Sequence, residues 1–306
     1  MTFQLDLTGE QLVQNASVLK DQVVFLTGGA SGFGHDTSII AAENGAKVFI
    51  VDLNKTALDA FVDELKAKGG QVEGYIADIT KPEVVRAAFD QCVKSFGVPD
   101  VVYANAGVAA NDKIDFDDLG EQVQPWVDIT LRINLGGLLT TSAVAQDIWA
   151  ENPRPEGARK PRLVLTASLG GFAPIPGATA YCASKHATVA YWKALSDALK
   201  AGKMSGFECH AVCPFFCATP ILPRITLFLL AGLPFTPISM VSKTLIYAGI
   251  GSQDQPPEHK KLVDAAGGMA LLLPDDGAAT ALAADDYYAF SDRFEAAFEA
   301  RLARNQ

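Results

Sequence analysis

The chain has little of what marks an exported, membrane-embedded or nucleic-acid-binding protein. Its 306 residues hold only five cysteines, Cys92, Cys182, Cys209, Cys213 and Cys217, an odd set that cannot pair completely, so reduced thiols are expected. Cys209, Cys213 and Cys217 recur every four residues, but Pro214, Phe215 and Phe216 interrupt them and the tight paired spacing of a metal site is missing. No metal is expected, and the thiols read as small buried hydrophobes. Met1 to Gly9 carries Asp6 and no basic cluster ahead of an apolar run, so it does not read as a signal peptide and a cytoplasmic location is expected. The most apolar stretch, Ile225 to Leu233, falls far short of the ~20 residues of a membrane span, and Pro223 and Pro234 bracket it, so no membrane partner is expected. Basic charge is also in deficit. Twenty-five Lys and Arg against 35 Asp and Glu give a net charge of −10, which opposes any grip on a phosphate backbone and excludes nucleic acid as an expected partner.

What is present is core-forming material: 49% hydrophobic and 20% charged residues, with no repeat, heptad or low-complexity tract. Short β-branched or aromatic runs alternate with longer helical patterns, the signature of successive βαβ units. Strands are expected at Gln22 to Thr27, Lys47 to Asp52, Val72 to Ala77, Asp100 to Ala104, Arg162 to Thr166, Phe207 to Cys213 and Met269 to Leu273. The near-continuous apolar character of Val23-Val24-Phe25-Leu26 and Val101-Val102-Tyr103-Ala104 fits strands covered on both faces. The expected fold is therefore α/β, a single doubly wound Rossmann-type domain of about seven parallel strands flanked by helices. Residues 1–19 read as an N-terminal extension, 20–280 as the main folded domain, and 281–306 as a C-terminal helix. That helix is suggested by Tyr287, Phe290, Phe294 and Phe298 at helical spacing. Two hydrophilic insertions, Ala110 to Gln124 and Glu151 to Arg162, interrupt the alternation, and the second reads as a surface loop.

Thr27-Gly28-Gly29-Ala30-Ser31-Gly32-Phe33-Gly34 lies directly after a strand and before a helix, where backbone N–H groups can approach a pyrophosphate at the positive helix end. Asp52 closes the next strand, placed to accept hydrogen bonds from ribose hydroxyls, although an Asp there can equally cap a helix. The carboxylate would repel a 2′-phosphate, and neither Ser31 nor Leu53 offers a basic group to bind one, so NAD is favoured over NADP. Tyr181 and Lys185 stand four residues apart in a helical pattern and project from one face. Ser168 follows the strand before them, and Asn134 lies in the helix before that.

Taken in order, the Thr-Gly-x-x-x-Gly-x-Gly turn, Asp52, Asp78, Asn105-Ala106-Gly107, Asn134, Ser168 and Tyr181-x-x-x-Lys185 resemble the classical short-chain dehydrogenases/reductases over roughly residues 20–280. The extended branch of that family fits worse, because Ser31 stands where its middle glycine would be. The resemblance implies that Tyr181 is the general acid/base, that Ser168 binds the substrate oxygen, that Lys185 holds the nicotinamide ribose and lowers the tyrosine pKa, and that Asn134 anchors a water relay. It implies cofactor contacts at Gly28, Ser31, Gly32, Phe33, Gly34, Asp52, Leu53, Asp78, Ile79, Asn105, Ala106, Gly107, Tyr181, Lys185, Pro214 and Thr219. Asp78 and Asn105 would sit against the adenine end with Ile79 as an apolar neighbour, and Thr219 would approach the nicotinamide carboxamide. Phe215 departs from the family's usual Gly after Pro214, which leaves the local backbone open.

In that family the segment after Thr219, here a lid at about 219–245, covers the substrate, and Pro220 to Leu230 would do so with apolar side chains, although the same residues could equally build a subunit contact or lie against the core. An apolar or aromatic secondary alcohol or ketone is therefore the expected small-molecule partner, and homodimers or homotetramers are expected by resemblance. Two other functions stay open on these residues: a dinucleotide-binding regulator without turnover, and a lyase or isomerase that uses NAD transiently.

Overall fold

The computed structural model describes residues 5–109, 123–173, 175, 177–219, 235–266, 268–273 and 279–283. All seven expected strands are present: β2 (Val23–Thr27), β3 (Lys47–Asp52), β4 (Gln71–Ile76), β5 (Val101–Ala104), β6 (Arg162–Thr166), β7 (Glu208–Pro214) and β8 (Met269–Leu273). They are mutually parallel in one sheet. Two further strands extend the sheet: β9 (Ala279–Ala283) pairs antiparallel with β8, and β1 (Leu5–Leu7) pairs antiparallel with β9 and so runs in the direction of the other strands, giving the order β1-β9-β8-β7-β6-β5-β2-β3-β4.

These two strands correct the boundaries read from the sequence. The segment ahead of residue 20 is part of the fold, with Leu7, Leu12, Ala16 and Leu19 buried in the core. Residues 281–283 belong to β9, not to a terminal helix, and 284–306 lie outside the described residues.

The helices follow from amphipathic spacing. In α2 (Lys55–Ala67), Leu58, Phe61, Val62 and Leu65 form one buried stripe, and Asn54 caps the helix by accepting from the Ala57 amide at 3.1 Å. In α3 (Pro82–Phe96), Pro82 opens the first turn and Gly97, at φ 104°, ends the helix. Strand alternation sends Val24 and Leu26 to the face covered by α1 (Gly32–Glu43), α2 and α7 (Ile238–Ile250), and Phe25 and Phe49 to the face covered by α3, α5 (Leu138–Glu151) and α6 (Thr179–Lys200). Both faces are dry, as expected for a parallel sheet.

Helix α4 (Val123–Leu131) runs into α5 through a π-helical stretch, Arg132–Gly137. Ile79 seats that stretch, since a side chain on Gly137 would overlap it. The 151–162 insertion is an exposed loop up to residue 160, whereas Arg162 itself is fully buried in β6. Of the expected lid, 238–245 opens a core helix, Ile238–Ile250, with Val241, Ser242, Thr244 and Leu245 buried, and 220–234 falls outside the described residues. Helix α8 (Pro257–Ala266) completes the described helices. Chain direction reverses its march across the sheet between β2 and β5, and that switch point opens a crevice at the carboxyl ends of the strands.

Candidate active site

The glycine turn occupies that crevice. Gly28 holds φ 67°, and a Cβ there would lie 2.7 Å from Ala106 Cα, so only glycine lets the turn approach the end of β5. Gly32, at φ 53°, opens α1, and a Cβ on it would meet only Thr219, at 3.8 Å. The N-cap, Ser31, makes no side-chain cap bond, so its hydroxyl leaves the first amides of α1 to a ligand. Together the uncapped helix start and the side-chain-free face at Gly32 fit a pyrophosphate. Phe33 is held from behind, its carbonyl accepting from Ser242 Oγ at 3.3 Å.

Asp52 does two jobs at the end of β3. Its Oδ2 accepts from the Ala30 amide at 2.9 Å, tying the turn to the strand, and its Oδ1 accepts from Asn54 at 2.9 Å. Each oxygen keeps a lone pair for a ribose hydroxyl. Leu53 beside it is 67% exposed and carries no charge.

Asp78 serves its own turn: its Oδ1 accepts from the Thr80 hydroxyl at 2.7 Å and the Thr80 amide at 3.0 Å. Those bonds hold its carboxyl below the usual range, the hydroxyl contributing most. Asn105 is likewise occupied. Its Nδ2 donates to the carbonyls of Thr27 and Gly28 at 3.0 and 3.2 Å, and its Oδ1 accepts from the Thr166 hydroxyl at 3.0 Å. Both side chains thus order the turns that carry them.

The four expected catalytic side chains converge from three elements. Ser168 follows β6; its Oγ accepts from the Gly170 amide at 3.0 Å, donates to the Pro214 carbonyl at 3.4 Å and hydrogen-bonds the Tyr181 phenol. Gly171 lets this turn press on α6, since a Cβ there would stand 2.6 Å from the Lys185 carbonyl. Tyr181 and Lys185 share a face of α6, with the ammonium 5.7 Å from the centroid of the phenol ring. Burial pushes Tyr181 up to about 12, against the pull of its Ser168 hydrogen bond, and burial brings Lys185 down to about 8.

Asn134 sits in the π-helical stretch. Its Oδ1 accepts from the Val108 amide at 2.8 Å, and its Nδ2 donates to the Val108 carbonyl at 2.8 Å and to Ser184 Oγ at 3.2 Å. Ser184 Oγ in turn donates to the Tyr181 carbonyl at 2.6 Å. Gly107 stands between, with room for a Cβ only 3.3 Å from Asn134 Oδ1 and 3.8 Å from Lys185 Nζ.

Beyond β7 the chain crosses back to the glycine turn. Phe215 takes an ordinary negative φ and donates its amide to the Leu273 carbonyl at 3.1 Å, so replacing the usual glycine prolongs the strand without strain. Phe215 and Phe216 meet edge to face at 4.6 Å, both half-buried. Thr219 ends the described crossing beside Gly32. Three groups escaped the sequence reading: Thr27, whose hydroxyl accepts from the amides of Asn105 and Ala106; Thr166, whose carbonyl accepts from Lys185 Nζ at 2.8 Å; and Ser184. Only their position inside the motifs could have marked them.

Comparison with known proteins agrees with this geometry. The family model described as short chain dehydrogenase matches residues 22–227. The probable oxidoreductase EphD of Mycobacterium tuberculosis is 30% identical over 203 residues, 66% of this chain but 32% of that protein, so the chain spans about a third of the length of such relatives. The 1-deoxy-11-beta-hydroxypentalenate dehydrogenase of Streptomyces exfoliatus is 33% identical over 211 residues, covering 68% of this chain and 72% of the relative. A short chain dehydrogenase/reductase from Burkholderia phymatum, solved in complex with NAD, superposes with a TM-score of 0.63 at 25% identity, covering 73% of this chain and 84% of that one. Among the described residues no helix is long and apolar enough to cross a membrane. Sequence, topology and site together make the chain a member of the short-chain dehydrogenase/reductase family of oxidoreductases.

Proposed function

We propose that the chain moves a hydride between NAD and an apolar or aromatic secondary alcohol or ketone, with Tyr181 as the general acid/base. The observation that carries this reading is the convergence of Ser168, Tyr181 and Lys185 beside the glycine turn. Gly28, Ser31, Gly32, Phe33 and Gly34 would hold the pyrophosphate, Asp52 and Leu53 the adenosine ribose, and Pro214 and Thr219 the nicotinamide end. Asp78, Ile79, Asn105, Ala106 and Gly107 shape the walls between them. Bound there, the dinucleotide supplies a hydride acceptor and a positively charged ring.

The residues then divide the work of proton transfer. Ser168 Oγ presents a hydrogen bond to the substrate oxygen, and Tyr181 takes the hydroxyl proton as the alcohol is oxidised. A phenol near 12 is a poor partner at neutral pH, so positive charge must stabilise its anion. The Lys185 ammonium, 5.7 Å from the centroid of the phenol ring, supplies positive charge of that kind. Lys185, near 8, still carries most of its charge at neutral pH. Asn134 keeps one Oδ1 lone pair, enough to anchor a water on the proton path.

NAD is preferred because Asp52 occupies the place a 2′-phosphate would need, with no basic group at Ser31 or Leu53. The half-buried Phe215 and Phe216 pair supports an apolar substrate. Self-association as a homodimer or homotetramer belongs to the same proposal, on family likeness. Following reduced-nicotinamide absorbance while a panel of secondary alcohols is offered with NAD or NADP tests the reading. Turnover of aryl or branched alcohols with NAD supports it; small polyols as the better substrates, or a higher kcat/KM with NADP, contradicts it.

A further inference from the structure

Lys185 is 4% exposed, and its ammonium donates to a backbone carbonyl, that of Thr166, at 2.8 Å. The reason that carbonyl is open to it lies in the neighbouring strand. β5 pairs with β6 as far as Ala104 opposite Leu165. The next two amides, Asn105 and Ala106, turn away onto Thr27 Oγ1 at 3.1 and 3.2 Å, and the ladder stops. Thr166, the last residue of β6, lies just past that stop and receives the lysine instead of a strand amide.

The hydroxyl of the same residue points to the cofactor side. It donates to Asn105 Oδ1 at 3.0 Å, and the Asn105 amide grips the Thr27 and Gly28 carbonyls. Thr166 is 5% exposed, where an aliphatic β-branched residue would serve the strand equally and avoid desolvating a hydroxyl. The hydroxyl therefore calls for a use, and its partner among the described residues, Asn105, leads to the glycine turn.

We propose that Thr166 is a positioning residue for Lys185: its carbonyl seats the ammonium, and its hydroxyl, held by Asn105, keeps that seat in register with the glycine turn. The inference rests on the reading of Lys185 as part of the reaction site.

The test compares Thr166→Val, which keeps shape but loses the hydroxyl, with Thr166→Ser, which restores it. In protein labelled with 15N-lysine, the Lys185 Nζ resonance is followed against pH, and kcat is profiled against pH in parallel. A loosened seat stabilises the charged form less, so in Thr166→Val the Lys185 midpoint falls, by about threefold in proton affinity. The acid limb of the kcat profile moves and kcat drops about tenfold. Thr166→Ser returns both to wild type. A hydroxyl that merely supports the fold would lower Tm in Thr166→Val but leave the Lys185 midpoint and the pH profile unchanged, and that result overturns the proposal. If Thr166→Val does not fold, Thr166→Cys, a weak donor of similar size, gives the same comparison. The Nζ midpoint needs no turnover, so a wild type inactive on every alcohol would sink the reaction and still leave the seat itself decided.

Discussion

The Ala30 amide donates to Asp52 Oδ2 across 2.9 Å, so the carboxylate proposed to receive the ribose also anchors the glycine turn. Asp52→Asn can keep one of its two backbone bonds but not both as an acceptor. The variant should bind NAD about tenfold more weakly, because both the turn and the ribose lose an acceptor. Adding Leu53→Arg should raise kcat/KM with NADP above that with NAD, measured by steady-state kinetics with each cofactor. An unchanged cofactor ratio in the double variant would remove Asp52 and Leu53 from cofactor selection.

Tyr181→Phe deletes the phenol while leaving the glycine turn and Lys185 in place. NAD affinity, read by calorimetry, should stay within about twofold, while kcat falls by roughly 10³. Substantial residual turnover would exclude the tyrosine as proton carrier.

Gly249 in α7 lies against the hydroxyl of Tyr103, which is fully buried and has no hydrogen-bond partner among the described residues. A methyl group at residue 249 would overlap that oxygen. Gly249→Ala should cost about 2 kcal/mol or more in urea unfolding, and Tyr103→Phe in the same background should recover most of it. Tyr103→Phe alone should be neutral or stabilising, since it removes a buried unpaired hydroxyl.

Glu208 lies at the other end of the sheet from the crevice, its Oε1 accepting from Ser252 Oγ at 2.5 Å and its Oε2 from the Ser252 amide at 2.9 Å. Burial alone would raise its carboxyl, but bonds from His210 and Ser252 outweigh it and hold the group at about 2. A depressed carboxylate stabilises the fold above its unfolded pKa of about 4.5, and that stability is lost as pH falls from there through about 2. The loss should approach about 3 kcal/mol, and Glu208→Gln should flatten the stability profile across that window. Parallel profiles for the two proteins would show that Glu208 is not the acid-sensitive group.

What could be read from the sequence divides along physical lines. The parallel strands were legible because each is a compact apolar run between turn signals, as in Val23 to Thr27. The convergence of Asn134, Ser168, Tyr181 and Lys185 could be anticipated because the order of these residues along the chain is distinctive. β1 was not, since Leu5–Leu7 has too few residues to carry a period. β9 was also missed: Ala279–Ala283 follows the turn signal Pro274-Asp275-Asp276-Gly277, yet alanine-rich residues favour no strand on their own, and only pairing with β8 makes them one. Thr166 and Ser184 escaped notice because a buried hydroxyl gains meaning only from its partners, Asn105 in one case and Asn134 in the other. The seat of Lys185 on a backbone carbonyl leaves no trace in residue types.

The central claim is hydride transfer, and isotope labelling tests it most directly. An aryl secondary alcohol carrying deuterium on its carbinol carbon is oxidised with NAD, and the reduced cofactor is weighed by mass spectrometry. The account predicts one deuterium per reduced nicotinamide in the wild type and reduced cofactor formed roughly 10³ times more slowly with Tyr181→Phe. Product ketone formed without deuterium in the cofactor would contradict it.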